Sequence, residues 1–178
     1  MEAYVFWHRR DPNVPKERYE EYLKKFHEGL RQFDIRGFLG SASYRVDVPW
    51  MPKGDIYEDW YFILDSGVLD RLIEVVEGGA RTIHDEVASF SAEGKGALFA
   101  LKSGKHEILS RDIVTWISKP RGVSYEKFYS SLEIRGTLWR RLLAMGPTPE
   151  FCIIDREPLS HLGVESLQIN RSLVLQAL

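Results

Sequence analysis

A single cysteine, Cys152, is all the thiol chemistry this 178-residue chain carries. One thiol excludes an internal disulfide and a cysteine-built zinc site, and it fits a reducing compartment. A surplus of either charge is missing too. The 24 Lys and Arg against 26 Asp and Glu leave a formal net charge of -2, so nothing draws the chain as a whole toward nucleic acid or an acidic membrane. No apolar run approaches the roughly 20 residues that cross a bilayer. The opening Met1-Glu2-Ala3-Tyr4 meets charge at His8-Arg9-Arg10, which leaves no room for the apolar core of a signal peptide. The expectation is a cytoplasmic protein. Gly-rich phosphate loops are absent, since Gly94-Lys95-Gly96 matches neither a P-loop nor a dinucleotide fingerprint, and no nucleotide cofactor is expected. No two histidines stand at metal-ligand spacing, so neither iron nor zinc is implied.

What is present is an ordinary globular composition, 44% hydrophobic and 28% charged, which excludes a largely disordered chain. The chain also restates itself. Tyr4-Val5-Phe6-Trp7 leads through Asp11-Pro12-Asn13 into Arg18-Tyr19-Glu20-Glu21-Tyr22. Ile113-Val114-Thr115-Trp116-Ile117 leads through Lys119-Pro120-Arg121-Gly122 into Ser124-Tyr125-Glu126-Lys127-Phe128.

In order, Ala3 to Arg9 reads as a strand, and Pro15 opens a helix whose apolar positions Tyr19, Tyr22, Leu23, Phe26, Leu30 and Phe33 step by three and four. From Phe38 to Asp47 the period falls to two, the mark of a second strand. Val48 to Gly54 is a two-proline loop carrying an exposed-looking Trp50 and Met51, read as a lid or rim. Asp55 to Leu64 is a third strand, Val68 to Val76 and the stretch around Ile83 and Val87 are helical, and Ala97 to Leu101 is a fourth strand. The order is βαββαβ over residues 1–103. Residues 104–110 read as a linker, and residues 111–178 as a shortened βαββ unit. That second unit is expected to hold a strand at Asp112 to Ser118, a long helix from Ser124 to about Ala144, a strand at Pro149 to Asp155 and a strand, with helix left open, at Leu167 to Leu175.

Strands such as Trp60 to Leu64 and Phe151 to Ile154 are apolar at consecutive positions, so both faces need burial, and a second sheet packed on or closed with the first supplies it. At this point the chain resembles the dimeric α/β-barrel superfamily, through its βαββαβ order, the partial repeat and the tyrosine-rich first helices Tyr19-Glu20-Glu21-Tyr22 and Tyr125-Glu126-Lys127-Phe128. The resemblance implies an α+β protein, two ferredoxin-like units with antiparallel sheets packed into a barrel-like body, helices outside. It also implies small-molecule binding or cofactor-independent chemistry. The shortened unit is expected to leave a free sheet edge, a route to a homodimer.

His84, between the second helix and the fourth strand, is the acid–base candidate, although its neighbour Asp85 on the same helix is not expected to face it. His8 and His27 are weaker candidates for lining a cavity. Trp7, Tyr44, Trp60 and Trp116 are candidate walls for a small ligand, an aromatic one among the options, with packing in equivalent core layers as the plainer reading. The alternative function is a non-catalytic ligand-binding or self-assembly module.

Overall fold

The computed structural model describes residues 1–143, 146–159 and 163–178. His161 and the far end of the helix expected to reach Ala144 lie outside the described residues. Among the described residues the first half of the chain runs β1 (Glu2–Arg10), α1 (Lys16–Leu30), β2 (Phe38–Val46), β3 (Ile56–Ile63), α2 (Val68–Glu77), α3 (Arg81–Ser89) and β4 (Ser91–Ser103). The second runs β5 (Arg111–Ile117), α4 (Tyr125–Ser130), β6 (Thr137–Arg141), β7 (Phe151–Asp155) and β8 (Ser166–Ala177).

All the strands pair antiparallel and close into one barrel in the order β1-β3-β2-β8-β5-β7-β6-β4. Within each half the order is fourth, first, third, second strand, and the halves meet where β2 pairs with β8 and β4 with β6. The expected free edge is therefore not there. The tail forms β8 and pairs with both β2 and β5, so among the described residues the second half shows no open strand edge.

The long helix expected from Ser124 also gives way. α4 is six residues long, and Thr137 to Arg141, read at helical spacing, is instead strand β6. Gly136 explains the break. A Cβ there would collide with the Ile154 carbonyl, so only glycine lets the chain enter the sheet against β7.

Alternation along each strand divides the molecule. In β1, Ala3, Val5 and Trp7 face the barrel interior, while Tyr4, Phe6 and His8 face outward. All eight residues of β3 are buried because both its faces are covered, Glu58, Trp60 and Phe62 inside and Tyr57, Asp59 and Tyr61 under the helices. α1 lies over that outer face through Tyr19, Leu23, Phe26, His27 and Leu30.

The interior is filled with aromatics. Trp7, Trp60, Trp116 and Trp139 are at most 1% exposed. Trp50 and Met51, expected at the surface, instead plug one end of the barrel: Met51 is buried, and the Trp50 ring lies edge-on to Trp116 at 5.0 Å and to Trp7 at 5.6 Å. Toward the other end the segment expected to be a linker turns inward, and His106 lies against Phe62, ring centroids 3.9 Å apart, and Trp139.

Within this apolar filling sits an ionic cluster. Arg171 of β8 makes a two-pronged hydrogen bond to Asp112 of β5, both at 2.7 Å, and donates to Glu58 of β3 at 2.7 Å. The two Glu58 oxygens also accept the indole N–H groups of Trp7 and Trp60, each at 2.7 Å, and the guanidinium lies 4.0 Å over the Tyr44 ring. Burial alone would lower the pKa of Arg171, but Asp112 and Glu58 hold it well above its ordinary value.

Candidate active site

Outside the barrel, between α1, α2, α3 and the outward face of β1 and β3, lies a cavity of about 950 Å³. Its walls are apolar, with Tyr4, Phe6, Phe26, Leu69, Leu72 and Val76 prominent, and its floor is polar. A large apolar pocket with a few convergent polar groups is the usual form of a small-molecule site.

The floor is built by register. Asp59 pairs with Phe6 across β1 and β3, and His8 pairs with Tyr57, so His8 and Asp59 are diagonal neighbours on one face. Ser41 and Ser43 of β2 pair with Tyr61 and Asp59 on the same face. From above, α1 lowers Tyr19 and His27, two turns apart on one stripe. His8 Nε2 stands 3.0 Å and His27 Nε2 3.2 Å from the same oxygen, Asp59 Oδ2, and the Tyr61 hydroxyl donates to that oxygen at 3.1 Å. Neither Nε2 approach has the alignment of a full hydrogen bond. The remaining ring nitrogens are also engaged: His8 Nδ1 meets the Tyr19 hydroxyl, and His27 Nδ1 meets Ser41 Oγ at 2.7 Å. Tyr19 in turn lies 2.9 Å from Ser91 Oγ. Flat contacts hold both imidazoles, His8 against Tyr57 and His27 against Tyr61.

Burial pushes the Asp59 carboxyl upward, but His8 and His27 overcome this and hold it well below the usual carboxylate range. Burial raises both Tyr19 and Tyr61, and Asp59 adds to the rise in each. The floor thus presents an ionised carboxylate, two imidazoles and two phenols that keep their protons. Asp59 Oδ1 is buried without a hydrogen-bond partner among the described residues.

His84 lines this cavity from α3, where it is partly exposed, with its ring against Phe26. Contrary to expectation its Nδ1 does reach Asp85, at 3.2 Å. Trp7, Tyr44, Trp60 and Trp116 belong to the barrel interior, and none lines the cavity. The structure brings His8 and His27, weaker candidates in the sequence, together around Asp59 and Tyr19, which sequence reasoning passed over. A signal existed in Tyr57-Glu58-Asp59-Trp60, where two adjacent carboxylates interrupt an otherwise apolar strand. Each must find a partner on opposite faces.

No protein-family model matches the sequence, and no curated protein matches it. Solved structures do match the fold over nearly the whole chain. A provisionally named monooxygenase from Fusobacterium nucleatum subsp. nucleatum superposes with a TM-score of 0.65 at 9% identity, covering 99% of this chain and 93% of that one. One from Lactobacillus acidophilus NCFM gives 0.63 at 11% identity, covering 99% and 95%. An anthrone oxidase-like protein gives 0.58 at 12% identity, covering 98% and 92%. At such identities the likeness is one of fold, an α+β body around an eight-stranded antiparallel barrel.

Proposed function

We propose that this chain is an enzyme that removes a proton from a small aromatic molecule bound between the helices and the sheet, without a nucleotide cofactor. The observation that carries the reading is the Asp59–His8–Tyr19 series at the floor of an apolar cavity. Tyr19 takes the proton of the substrate as its own passes to His8 Nδ1, and the imidazolium so formed is stabilised by Asp59, the logic of a base held by a carboxylate. Asp59 Oδ1 accepts a substrate hydroxyl and orients the ring. The apolar walls exclude water and strengthen these charges. His84 contacts the substrate at the mouth.

The names of the matched structures suggest where the proton abstraction leads. A deprotonated, electron-rich carbon reduces dioxygen, and a CH2 flanked by aromatic rings plus O2 becomes C=O plus water, all electrons coming from the substrate. We further read the body as two fused ferredoxin-like units, residues 1–103 and 111–178 joined through 104–110, supported by the strand order shared by the halves. A cytoplasmic setting suits the single buried thiol.

Oxygen uptake with anthrone tests the reading. Wild-type protein is expected to consume oxygen, Tyr19→Phe and His8→Gln to lose about 10²- to 10⁴-fold in kcat while keeping native circular dichroism, and His84→Ala to raise KM chiefly. Full kcat in Tyr19→Phe or His8→Gln refutes the base. A wild type that binds anthrone and leaves oxygen untouched is a binding module.

A further inference from the structure

His27 is unexplained by this chemistry. It is 0% exposed, does not line the cavity, and yet approaches the same carboxylate oxygen as His8. Asp59 is a buried anion, and among the described residues no Lys or Arg forms an ion pair with it. A buried carboxylate needs a counter-charge, and the two imidazoles are what the fold supplies. With both neutral the site carries a charge of -1, and with both protonated +1. One proton makes it neutral.

We propose that His27 carries that resident proton and is a positioning residue: by neutralising Asp59 from behind, it leaves His8 neutral and able to accept a proton from the cavity side. The inference rests on the base reading above and deepens it. The surroundings of His27 suit the charged form. With Nε2–H toward Asp59 and Nδ1–H donated to Ser41 Oγ, both ring nitrogens face oxygen, and the ring lies flat on Tyr61 at 5.2 Å. His8 differs. Its Nδ1 faces the Tyr19 hydroxyl, a group with a proton to give. The titratable groups packed around the trio are Tyr4 from β1, Tyr19 from α1, Tyr57 and Tyr61 from β3 and His84 from α3. Among the described residues none of these forms an ion pair with Asp59, and His84 meets Asp85 instead. Arg10 lies toward Tyr19 but pairs with Asp55.

The test reads protonation directly and needs no substrate. Imidazole nitrogen NMR of the intact protein at pH 7 is expected to show His27 as imidazolium and His8 as neutral, with the signals assigned from His8→Gln. In Asp59→Asn the His27 signal becomes neutral. In His27→Gln the proton moves to His8, and the acidic limb of the anthrone pH profile moves upward by one unit or more, with activity recovered at higher pH. A role in packing alone would lower activity equally at every pH. Should His27→Gln fail to fold, Ser41→Ala removes the Nδ1 acceptor and shifts the same signals more weakly. A neutral His27 in the wild type, or a His8 already charged there, overturns the proposal even where the oxygen assay upholds the base. Failed oxygen uptake with a charged His27 overturns the base reading alone.

Discussion

Glu58 and Asp59 are successive residues whose side chains enter two separate worlds. Glu58 points into the barrel, where it pairs with Arg171 and accepts two indole N–H groups, and Asp59 points under α1 and is met by two imidazoles and a phenol. Histidine behaves differently again at His106, where burial, then the charge of Arg171, outweighs Glu107 and lowers the ring to about 4. Its unfolded value is near 6.5. Between these limits the unfolded chain binds the proton and the native chain does not. The stability associated with a neutral His106 is therefore whole above about pH 6.5 and is lost as the pH falls toward 4. Replacing His106 by Phe keeps the ring against Phe62 and removes the proton site. Urea midpoints at pH 7 and 4.5 are expected to fall less in His106→Phe than in wild type. An equal fall would mean that His106 titrates normally.

At the scale of elements, β4 shows how a strand can open a cavity by lacking side chains. Gly94 pairs with His8 and Gly96 with Phe6, and a Cβ at either would strike the ring of Phe6 or Tyr4. Glycine here costs about 0.5–1 kcal/mol of strand stability and leaves the aromatic side chains room to lie over β4. Gly96→Val is expected to push Tyr4 into the cavity and weaken binding of a fluorescent aromatic ligand about tenfold, measured by titration, with the thermal midpoint altered little beside that. Unchanged affinity would dissociate Tyr4 from the cavity wall.

The same strand marks what could be read in advance. β1 to β3 stand where their patterns place them, although Ser41 and Ser43, on the polar side of the period-two pattern, are buried under α1, and β4 begins at Ser91 rather than Ala97 because its glycine-rich start carries no apolar pattern. β6 hid because Trp139, Leu142 and Leu143 satisfy a helical spacing while Leu138 and Trp139 satisfy a strand, and only the Gly136 approach to β7 decides. In the site, His84 carried the more conspicuous local pattern, whereas Asp59, His8, Tyr19 and His27 converge from β3, β1 and α1. No local spacing reports a long-range register.

On the scale of the whole molecule, closure is secured by Arg171, which reaches from β8 to β5 in its own half and to β3 in the other. Replacing it with Met would leave Asp112 and Glu58 buried with no cation, and a loss of about 3–5 kcal/mol is expected from chemical denaturation. A loss below about 1 kcal/mol would show that the indoles alone satisfy Glu58. The halves are unequal in use. The first covers its outer sheet face with three helices and encloses the cavity, while the second covers its own with α4, Leu159 and Val123 around Phe151.

All five tryptophans pack in or against the barrel core and none lines the cavity, whose aromatic walls are tyrosine and phenylalanine. The protein therefore carries two optical channels separated by one sheet. Indole emission reports whether the barrel is closed and dry, since neighbouring rings 5–6 Å apart exchange excitation before they emit. Tyr4, Tyr19 and Tyr61 are the tyrosines of the cavity wall, so a change in tyrosine absorbance with indole emission unchanged reports its occupancy, and both can be followed in one cuvette without an added label.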